Sequence, residues 1–259
     1  MAFDGITITA MVQELNKNLE GGRFNKIAQP EADELLITAK GPGGQRRLLI
    51  CASASLPLIY FTEKNKPSPL TAPNFCMLLR KHIGSGRISS IRQPGLERVI
   101  EFELEHLNEM GDPCKKRLIF ELMGKHSNII FCDQDGMILD SIKHVSSHMS
   151  SVREVLPGRT YFIPKTQDKA DPLSISEENF IELVCKKPCN ISRAIYTSLT
   201  GISPVIAEEI CYRASIDGND AALSLDETAC IHLYHTFLRM MDQVKEGDFT
   251  PTIIYREKE

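Results

Sequence analysis

The hydrophobic pattern of this chain changes its period near Lys165, and this change places the tightest limit on the fold. Before that point, short apolar runs are separated by turns rich in Gly and Pro, as in antiparallel sheets. After it, apolar residues recur every three or four positions, as in amphipathic helices. We therefore expect an α+β chain with a β-rich domain (1–172), a small all-α domain (173–247) and the start of a further segment (248–259).

The most regular strand pattern lies at 98–105, where Ile100, Phe102 and Leu104 alternate with Glu101, Glu103 and Glu105. Such alternation predicts an antiparallel strand with an apolar face in the core and a solvated face of glutamates. Arg98 has the parity of the buried face, so we expect its guanidinium at the edge of the core. Further strands are predicted at 24–28, 35–39, 48–51, 58–61, 117–123, 128–132 and 137–142.

Helices are predicted from apolar spacing together with capping residues. Two of them, at 6–20 and 74–83, interrupt the strands of the first domain. In the second domain, helices are expected to about 186, over 191–199 and to about 246. Their predicted starts are a capping box of Ser174 with Glu177, a cap at Asn190, and Ser224 with Glu227. The run 250–255 resembles a strand.

The segment from Leu199 to Pro204 predicts a tight turn between two helices, because Gly201 ends one helix and Pro204 begins the next. This pattern resembles the helix-hairpin-helix module of nucleic-acid-binding proteins. Backbone N–H groups near Gly201 and Ser203 would hold a phosphate without reading its sequence. The alternative is an ordinary packed pair of helices, since Glu208 and Glu209 place negative charge beside the turn.

Charge is unevenly distributed along the chain. Residues 1–100 contain 13 Lys and Arg against 8 Asp and Glu, whereas the whole chain has a net charge of −4. Arg80, Lys81 and Arg98 belong to a basic cluster over 80–98 that contains a single acidic residue, Glu97. A phosphate-rich partner uses such a set of cations, and a solvated basic rim is the alternative interpretation.

Several classes of function are not supported by the sequence. It contains no Walker loop and no nucleophile elbow, so we expect no catalytic site of these kinds. No apolar run has the length of a membrane helix, and the start lacks the pattern of a signal peptide, so we expect a cytoplasmic protein. Most of the eight cysteines have apolar neighbours and are expected to be reduced. Cys185, Cys189 and Cys211 form an incomplete zinc set, so neither a metal nor a cofactor is expected.

A series of motifs extends in order over nearly the whole chain. They are Phe3-Asp4-Gly5, the run 73–82, Gly95-Leu-Glu-Arg98, Glu121-Leu-Met-Gly124-Lys125 and Leu156-Pro-Gly158-x-x-Tyr161. In order and spacing they resemble the NFACT family, whose bacterial group is called RqcH or, in older naming, fibronectin-binding protein A.

The resemblance implies a two-layer β-rich first domain, similar to the N-terminal domain of MutM-like DNA glycosylases, followed by a helix-hairpin-helix domain. Longer members continue beyond these domains, so this chain is expected to be an N-terminal fragment. The implied role is non-catalytic: binding of tRNA (alanyl-tRNA) and of the large ribosomal subunit obstructed by stalled peptidyl-tRNA, in support of C-terminal alanine tailing. No membrane partner is implied.

The resemblance also implies RNA contacts by a few residues. Glu97-Arg98 stands where the family has an Asp-Arg pair, and Asp4 and Glu121 are further candidates. The alternatives are that Asp4 caps the first helix, that Glu97-Arg98 is an exposed ion pair, and that Glu121 is an ordinary strand residue.

Two other functions are weighed against RNA binding. Glycosylase chemistry needs an N-terminal proline amine, whereas position 2 is Ala and the first proline is Pro30, so glycosylase activity is not expected. The older family name suggests an adhesin that binds fibronectin or fibrinogen, and we keep this as the alternative function.

Overall fold

The structure is a computed structural model of the 259-residue chain, and it describes residues 3–108, 110–164, 168–252 and 255. The chain divides into two compact units, Met1–Asp168 and Lys169–Glu259. The first unit contains the strands, and the second, among the residues described, contains helices, turns and two isolated β-bridges. Part of the predicted linker, 165–167, lies outside the described residues.

The strands of the first unit form a single antiparallel sheet. Over the described ranges it has nine strands in the order β4-β3-β2-β1-β5-β6-β7-β8-β9. They are β1 Arg23–Ala28, β2 Glu34–Gly41, β3 Gly44–Cys51, β4 Leu58–Phe61, β5 Arg87–Arg92, β6 Val99–Leu107, β7 Pro113–Glu121, β8 Asn128–Asp133 and β9 Ile138–Ser141. All eight predicted strands are confirmed, β4 with the predicted bounds, whereas β5 was missed.

The backbone pairing between β1 and β5 is much shorter than between the other neighbouring strands. In the part of the chain that is described, these strands share one register pair, Arg23 with Arg87. Beside it, the Gly21 N–H donates to the Ile88 oxygen at 2.9 Å, and the Ile88 N–H donates to the Gly22 oxygen at 2.8 Å. We call this junction the β1–β5 seam. It separates a half-sheet of β1–β4 from a half-sheet of β5–β9.

Both half-sheets face one hydrophobic core, which confirms the two-layer arrangement. The core contains Leu35 and Ile50 from the first half together with Phe102 and Phe131 from the second. A hydrogen bond also links the two halves, because the Lys143 ammonium after β9 donates to the main-chain oxygen of Ala52 after β3.

Two helices fill the same core: α1 (Gly5–Leu19) and α2 (Asn74–Ile83), the latter with the predicted bounds. Asp4 caps α1, since its Oδ1 accepts from the Thr7 N–H at 2.8 Å. The helix ends before Gly21, whose φ of +77° lies in the left-handed region that favours glycine. A Cβ on Gly22 would lie 2.4 Å from the Lys40 oxygen, so the chain turns closely into β1 there.

The other face of β6–β9 is covered by the chain that follows β9. Val99, Ile119 and Ile130 pack there with Val155 and Tyr161. This covering corrects the expectation of a solvated face of glutamates.

Glu101 is 6% exposed and its Oε2 lies 2.9 Å from the Arg92 Nη2. Glu103 and Glu105 are partly buried and pair with Lys115 and Arg87 respectively.

The second unit contains α3 (Glu177–Phe180), which continues as a π-helical turn (Ile181–Cys185), then α4 (Ile191–Ser198), α5 (Pro204–Arg213) and α6 (Glu227–Glu246). The predicted helices are present, and Asn190 caps α4 as expected.

Two predicted starts are wrong. Ser176 rather than Ser174 caps α3, and Asp226 rather than Ser224 caps α6. The predicted strand at 250–255 falls partly on residues outside the described ranges, and 250–252 form no strand. None of the helices described is both long enough and apolar enough to cross a membrane.

Candidate nucleic-acid interface

Arg98 lies immediately before β6, one residue ahead of the strand, and its side chain is partly exposed. Its main-chain oxygen accepts from the Leu122 N–H at 2.9 Å, which fixes the backbone against the end of β7. Among the residues described, no hydrogen-bond or ion-pair partner meets its guanidinium. Because a guanidinium carries five N–H donors, Arg98 is well suited to an acceptor outside the chain.

Gln93, at the end of β5, connects the loop that carries Arg98 to the start of α1. Its Nε2 donates to the Gly5 oxygen at 2.8 Å and to the Glu97 oxygen at 2.9 Å. Its Oε1 accepts from the Thr9 hydroxyl at 2.7 Å. These bonds bring the first turn of α1 next to the loop before β6.

The sequence therefore folds so that three predicted RNA contacts lie in one region. Asp4 precedes Gly5, and Glu97 and Arg98 follow Gln93 in the loop. We call Asp4, Gln93, Glu97 and Arg98 the Arg98 patch. Asp4 also has the alternative role expected for it, since it caps α1.

Glu121 is not part of this patch. Its side chain is fully buried, and its two oxygens accept from the Arg153 guanidinium and from the Tyr161 hydroxyl, the latter at 3.0 Å. The Arg153 guanidinium also lies over the Tyr161 ring, 5.5 Å from its centroid. This corrects the expectation that the Glu121 carboxylate contacts RNA, because no part of that side chain reaches the surface.

The buried network raises the pKa values of Tyr161 and Arg153. Burial, and then the Glu121 charge, raise the pKa of the Tyr161 hydroxyl. Burial alone would lower the pKa of Arg153, but the charge and hydrogen bond of Glu121 raise it above its ordinary value. The network joins the covering chain to β7 and is structural in character.

Arg80 and Lys81 lie far from the Arg98 patch. They line an open groove of about 930 Å³ at the other end of β5 and β6, where His106 and Leu107 also lie. Strand β6 runs between them, and about 20 Å separates its first residue, Val99, from Glu105 in the groove at a rise of about 3.3 Å per residue. The structure thus divides the predicted basic cluster between two places.

The groove also contains Arg23 and Lys26 from β1, which the site predictions missed. Arg87 of β5 lies there too, and it belongs to the predicted basic cluster over 80–98. Among the described residues that line it, Glu105 is the single carboxylate, and none is Phe, Tyr or Trp. We call Arg23, Lys26, Arg80, Lys81 and Arg87 the cationic groove.

Hydrogen bonds hold two of the groove's guanidiniums in place. The Arg80 Nε donates to the Ile27 oxygen at 2.7 Å, and the Arg23 Nη1 donates to the Ser85 oxygen at 3.2 Å.

The predicted helical hairpin is present in the second unit, where α4 and α5 flank Gly201 and Ser203. Gly201 has a φ of +73°, and the Ser203 Oγ accepts from the Ile206 N–H at 3.3 Å. Ala207 is fully buried, as close packing of two helices requires. Phosphate binding by Gly201 and Ser203 stays a prediction.

The cysteines act as small core residues. Six of the eight are buried among the residues described, and burial raises the pKa of Cys132 to about 12. Within the same ranges, no three His, Cys, Asp or Glu side chains are placed to hold a metal ion.

A family model, curated proteins and solved structures that resemble this chain all point to the same family. A family model described as "NFACT N-terminal and middle domains" matches residues 4–259. The chain is similar to the Rqc2 homolog RqcH of Bacillus subtilis, at 36% identity over 98% of this chain and 43% of that protein. It is also similar to the human ribosome quality control complex subunit NEMF, at 25% identity over 84% of this chain and 19% of NEMF.

Among solved structures, the N-terminal part of the fibronectin/fibrinogen-binding protein from Streptococcus suis superposes with a TM-score of 0.80 at 31% identity. The match covers 93% of this chain and 85% of that one. Against the curated RqcH of Bacillus subtilis, the chain spans less than half of the relative's length.

Proposed function

The chain belongs to the NFACT family, and on that basis we propose that it is the tRNA- and large-ribosomal-subunit-binding part of a ribosome quality-control factor. The names of its relatives, Rqc2 homolog and ribosome quality control complex subunit, support this role. The proposed partners are alanyl-tRNA and the large subunit that holds a stalled peptidyl-tRNA. The place of action is the cytoplasm, and the outcome is C-terminal alanine tailing of the stalled chain.

The observation that carries the proposal is the Arg98 guanidinium, partly exposed and without a partner in the described structure. A guanidinium binds a phosphate or a base edge through paired N–H donors. The Glu97 and Asp4 carboxylates, brought near it by Gln93, suit the amino groups of bases or ribose hydroxyls. Together these groups suit an unpaired tRNA loop.

The proposed role does not include catalysis by this chain. The ribosome forms the peptide bonds during tailing, and the protein positions the tRNA. Ala2 stands where a glycosylase has its proline nucleophile.

The proposal is tested by replacing Arg98 and measuring tRNA binding. Arg98→Ala is expected to weaken binding of a transcribed tRNA by about tenfold or more, since a paired guanidinium contact is lost. Arg98→Lys should recover only part of the affinity, because an ammonium lacks the fork of donors. The melting temperature should change by less than about 2 °C, since no internal contact is removed.

The matched control is Arg46→Ala, which removes an exposed arginine of β3 outside both sites. If Arg98→Ala binds tRNA as tightly as Arg46→Ala, the proposal is wrong. A large fall in melting temperature would instead assign Arg98 a structural role. Sequencing of RNA that copurifies with each variant identifies the tRNA.

A second candidate function is adhesion, because the structural relative from Streptococcus suis is named for binding fibronectin and fibrinogen. It predicts a large extracellular pool of the protein and tight binding to immobilised fibronectin. Fractionation of intact cells tests the first expectation. A pool confined to the ribosomal fraction would contradict adhesion and support the quality-control role.

A further inference from the structure

We propose that the cationic groove is a second RNA site, separate from the Arg98 patch, that binds the phosphate backbone of an RNA helix. The inference rests on the proposed function in one respect, that RNA is the ligand of this chain. It goes beyond that function by assigning RNA binding to a second surface, the cationic groove, and to a helical RNA segment.

The strongest observation is the pair of arginines at the β1–β5 seam. Arg23 and Arg87 are directly opposite in the antiparallel register, so their side chains emerge on the same face. Like charges in that position destabilise a sheet. Arg87 has a carboxylate partner, Glu105, at 3.2 Å, whereas Arg23 is exposed and donates to a main-chain oxygen. An anion at the seam would contact both guanidiniums and relieve their repulsion.

Three further cations surround this pair. Lys26 is exposed, and no hydrogen-bond or ion-pair partner is found for it in the described part of the chain. Arg80 is held against β1 by its bond to the Ile27 oxygen, and Lys81 is exposed beside it. Cations from β1, α2 and β5 thus converge on one groove that contains a single carboxylate among its described residues.

The shape and lining of the groove indicate the class of ligand. It is open and about 930 Å³ in volume, and its cations come from three elements, so more than one phosphate can be contacted at once. No Phe, Tyr or Trp is found among its described lining residues, and its aromatic rings are the imidazoles of His82 and His106, so cations outnumber the groups that could stack on unpaired bases. These features favour the backbone of a duplex, whose phosphates are regularly spaced, over a single-stranded loop or a nucleotide.

The groove and the Arg98 patch face different RNA segments. About 20 Å of strand β6 separates them, so the two sites do not overlap. A tRNA loop at Arg98 and a helical RNA segment in the groove can therefore be bound together.

The test measures duplex RNA binding as a function of salt. The probe is an RNA duplex of about 16 base pairs, and its dissociation constant is measured between about 50 and about 200 mM KCl. The double variant Lys26→Gln/Lys81→Gln removes two exposed cations. It is expected to reduce the slope of log K against log salt by about two, and to weaken binding by about tenfold at the lower salt.

The matched control, Lys17→Gln/Lys64→Gln, removes the same charge from exposed lysines outside the groove. It should leave the slope nearly unchanged. Equal effects of the two double variants would overturn the proposal, and so would the absence of duplex binding by the unmodified chain at the lower salt. If the groove variant has a lowered melting temperature, Lys26→Gln and Lys81→Gln are measured singly.

Arg98→Ala in the same duplex assay separates this inference from the proposed function. It is expected to bind the duplex normally while losing tRNA. If the groove variant loses duplex binding but Arg98→Ala still binds tRNA, the proposed role of Arg98 is refuted and the groove assignment stands. If the groove variant keeps duplex binding and Arg98→Ala loses tRNA binding, the groove assignment alone is refuted.

Discussion

The Gln93 side-chain nitrogen lies 2.8 Å from the main-chain oxygen of Gly5, and this contact holds the first turn of α1 beside the loop of Arg98. The same nitrogen bonds the Glu97 oxygen, and the Gln93 Oε1 accepts from Thr9. The neutral Gln93 side chain therefore holds together the Arg98 patch, whose expected contacts with RNA come from the charged side chains of Asp4, Glu97 and Arg98.

Gln93→Leu is predicted to weaken tRNA binding through displacement of the Arg98 loop, although Gln93 itself need not touch RNA. The effect should depend on Arg98. In a double-mutant cycle on tRNA affinity, Gln93→Leu should have a much smaller effect in the Arg98→Ala background than in the unmodified chain. Additive losses would show that the two residues act independently. Thr9→Val, which removes one of the three bonds, serves as the milder control.

Asp4 has a capping role that can be separated from any role of its charge. Asp4→Ala should lower the free energy of unfolding by about 1 kcal/mol because α1 loses its cap, whereas Asp4→Asn should retain most of the stability. Urea unfolding measures this difference. If the charge also contacts RNA, both variants weaken tRNA binding alike. Equal stability of the two variants would contradict the capping role.

Glu121→Gln is predicted to destabilise the first unit by about 3 kcal/mol, since it leaves the Arg153 guanidinium buried without its counter-charge. The double variant Glu121→Leu/Arg153→Met should recover part of the loss, because both buried charges are then absent. Thermal and urea unfolding give the comparison. A double variant no more stable than Glu121→Gln would indicate that Tyr161 and local packing carry the stability instead.

A pH dependence is predicted for the Glu103–Lys115 pair on the sheet surface. The hydrogen bond from the Lys115 Nζ, 2.9 Å from the Glu103 Oε1, is the main cause that lowers the pKa of Glu103 below its usual 4.5. A carboxyl whose pKa is lower in the folded state stabilises the fold at pH values above its pKa in the unfolded chain. This stabilisation is lost as the pH falls through the pKa of the folded state.

Glu103→Gln should therefore cost up to about 1 kcal/mol at neutral pH and almost nothing once the pH lies below both pKa values. Unfolding at a series of pH values measures the difference. The exposed Glu20→Gln is the control, with no pH-dependent difference expected. A difference that persists in acid would contradict the electrostatic origin.

Strand β5 shows why part of the sheet was not predicted. Its buried residues Ile88 and Ile91 are three positions apart, because the register with β6 shifts between Ile88 and Ser90. The bulge inserts one residue and hides the alternation by which strands are recognised. Strand β4 is a short continuous apolar run and helix α2 has regular apolar spacing, and the bounds of both were predicted correctly.

The site residues show a similar limit. Arg80, Lys81 and Arg98 are close in sequence, but the antiparallel pairing of β5 with β6 places them at opposite ends of these strands. Arg23 and Lys26 reach the groove through long-range contacts of β1 with β5 and α2, which have no local signal in the sequence. Family resemblance indicated Asp4, Glu97 and Arg98, whereas Gln93 acts through main-chain oxygens and no motif marks it.

The β1–β5 seam connects the two half-sheets of the first unit through a short stretch of backbone pairing. Few backbone bonds cross this joint, so the amide of Ile88 should exchange its hydrogen for deuterium faster than amides at the centre of β2 and β3. A polyanion bound to both Arg23 and Arg87 would link the two half-sheets. If addition of duplex RNA slows hydrogen exchange at the seam alone, the ligand stabilises the domain at this junction.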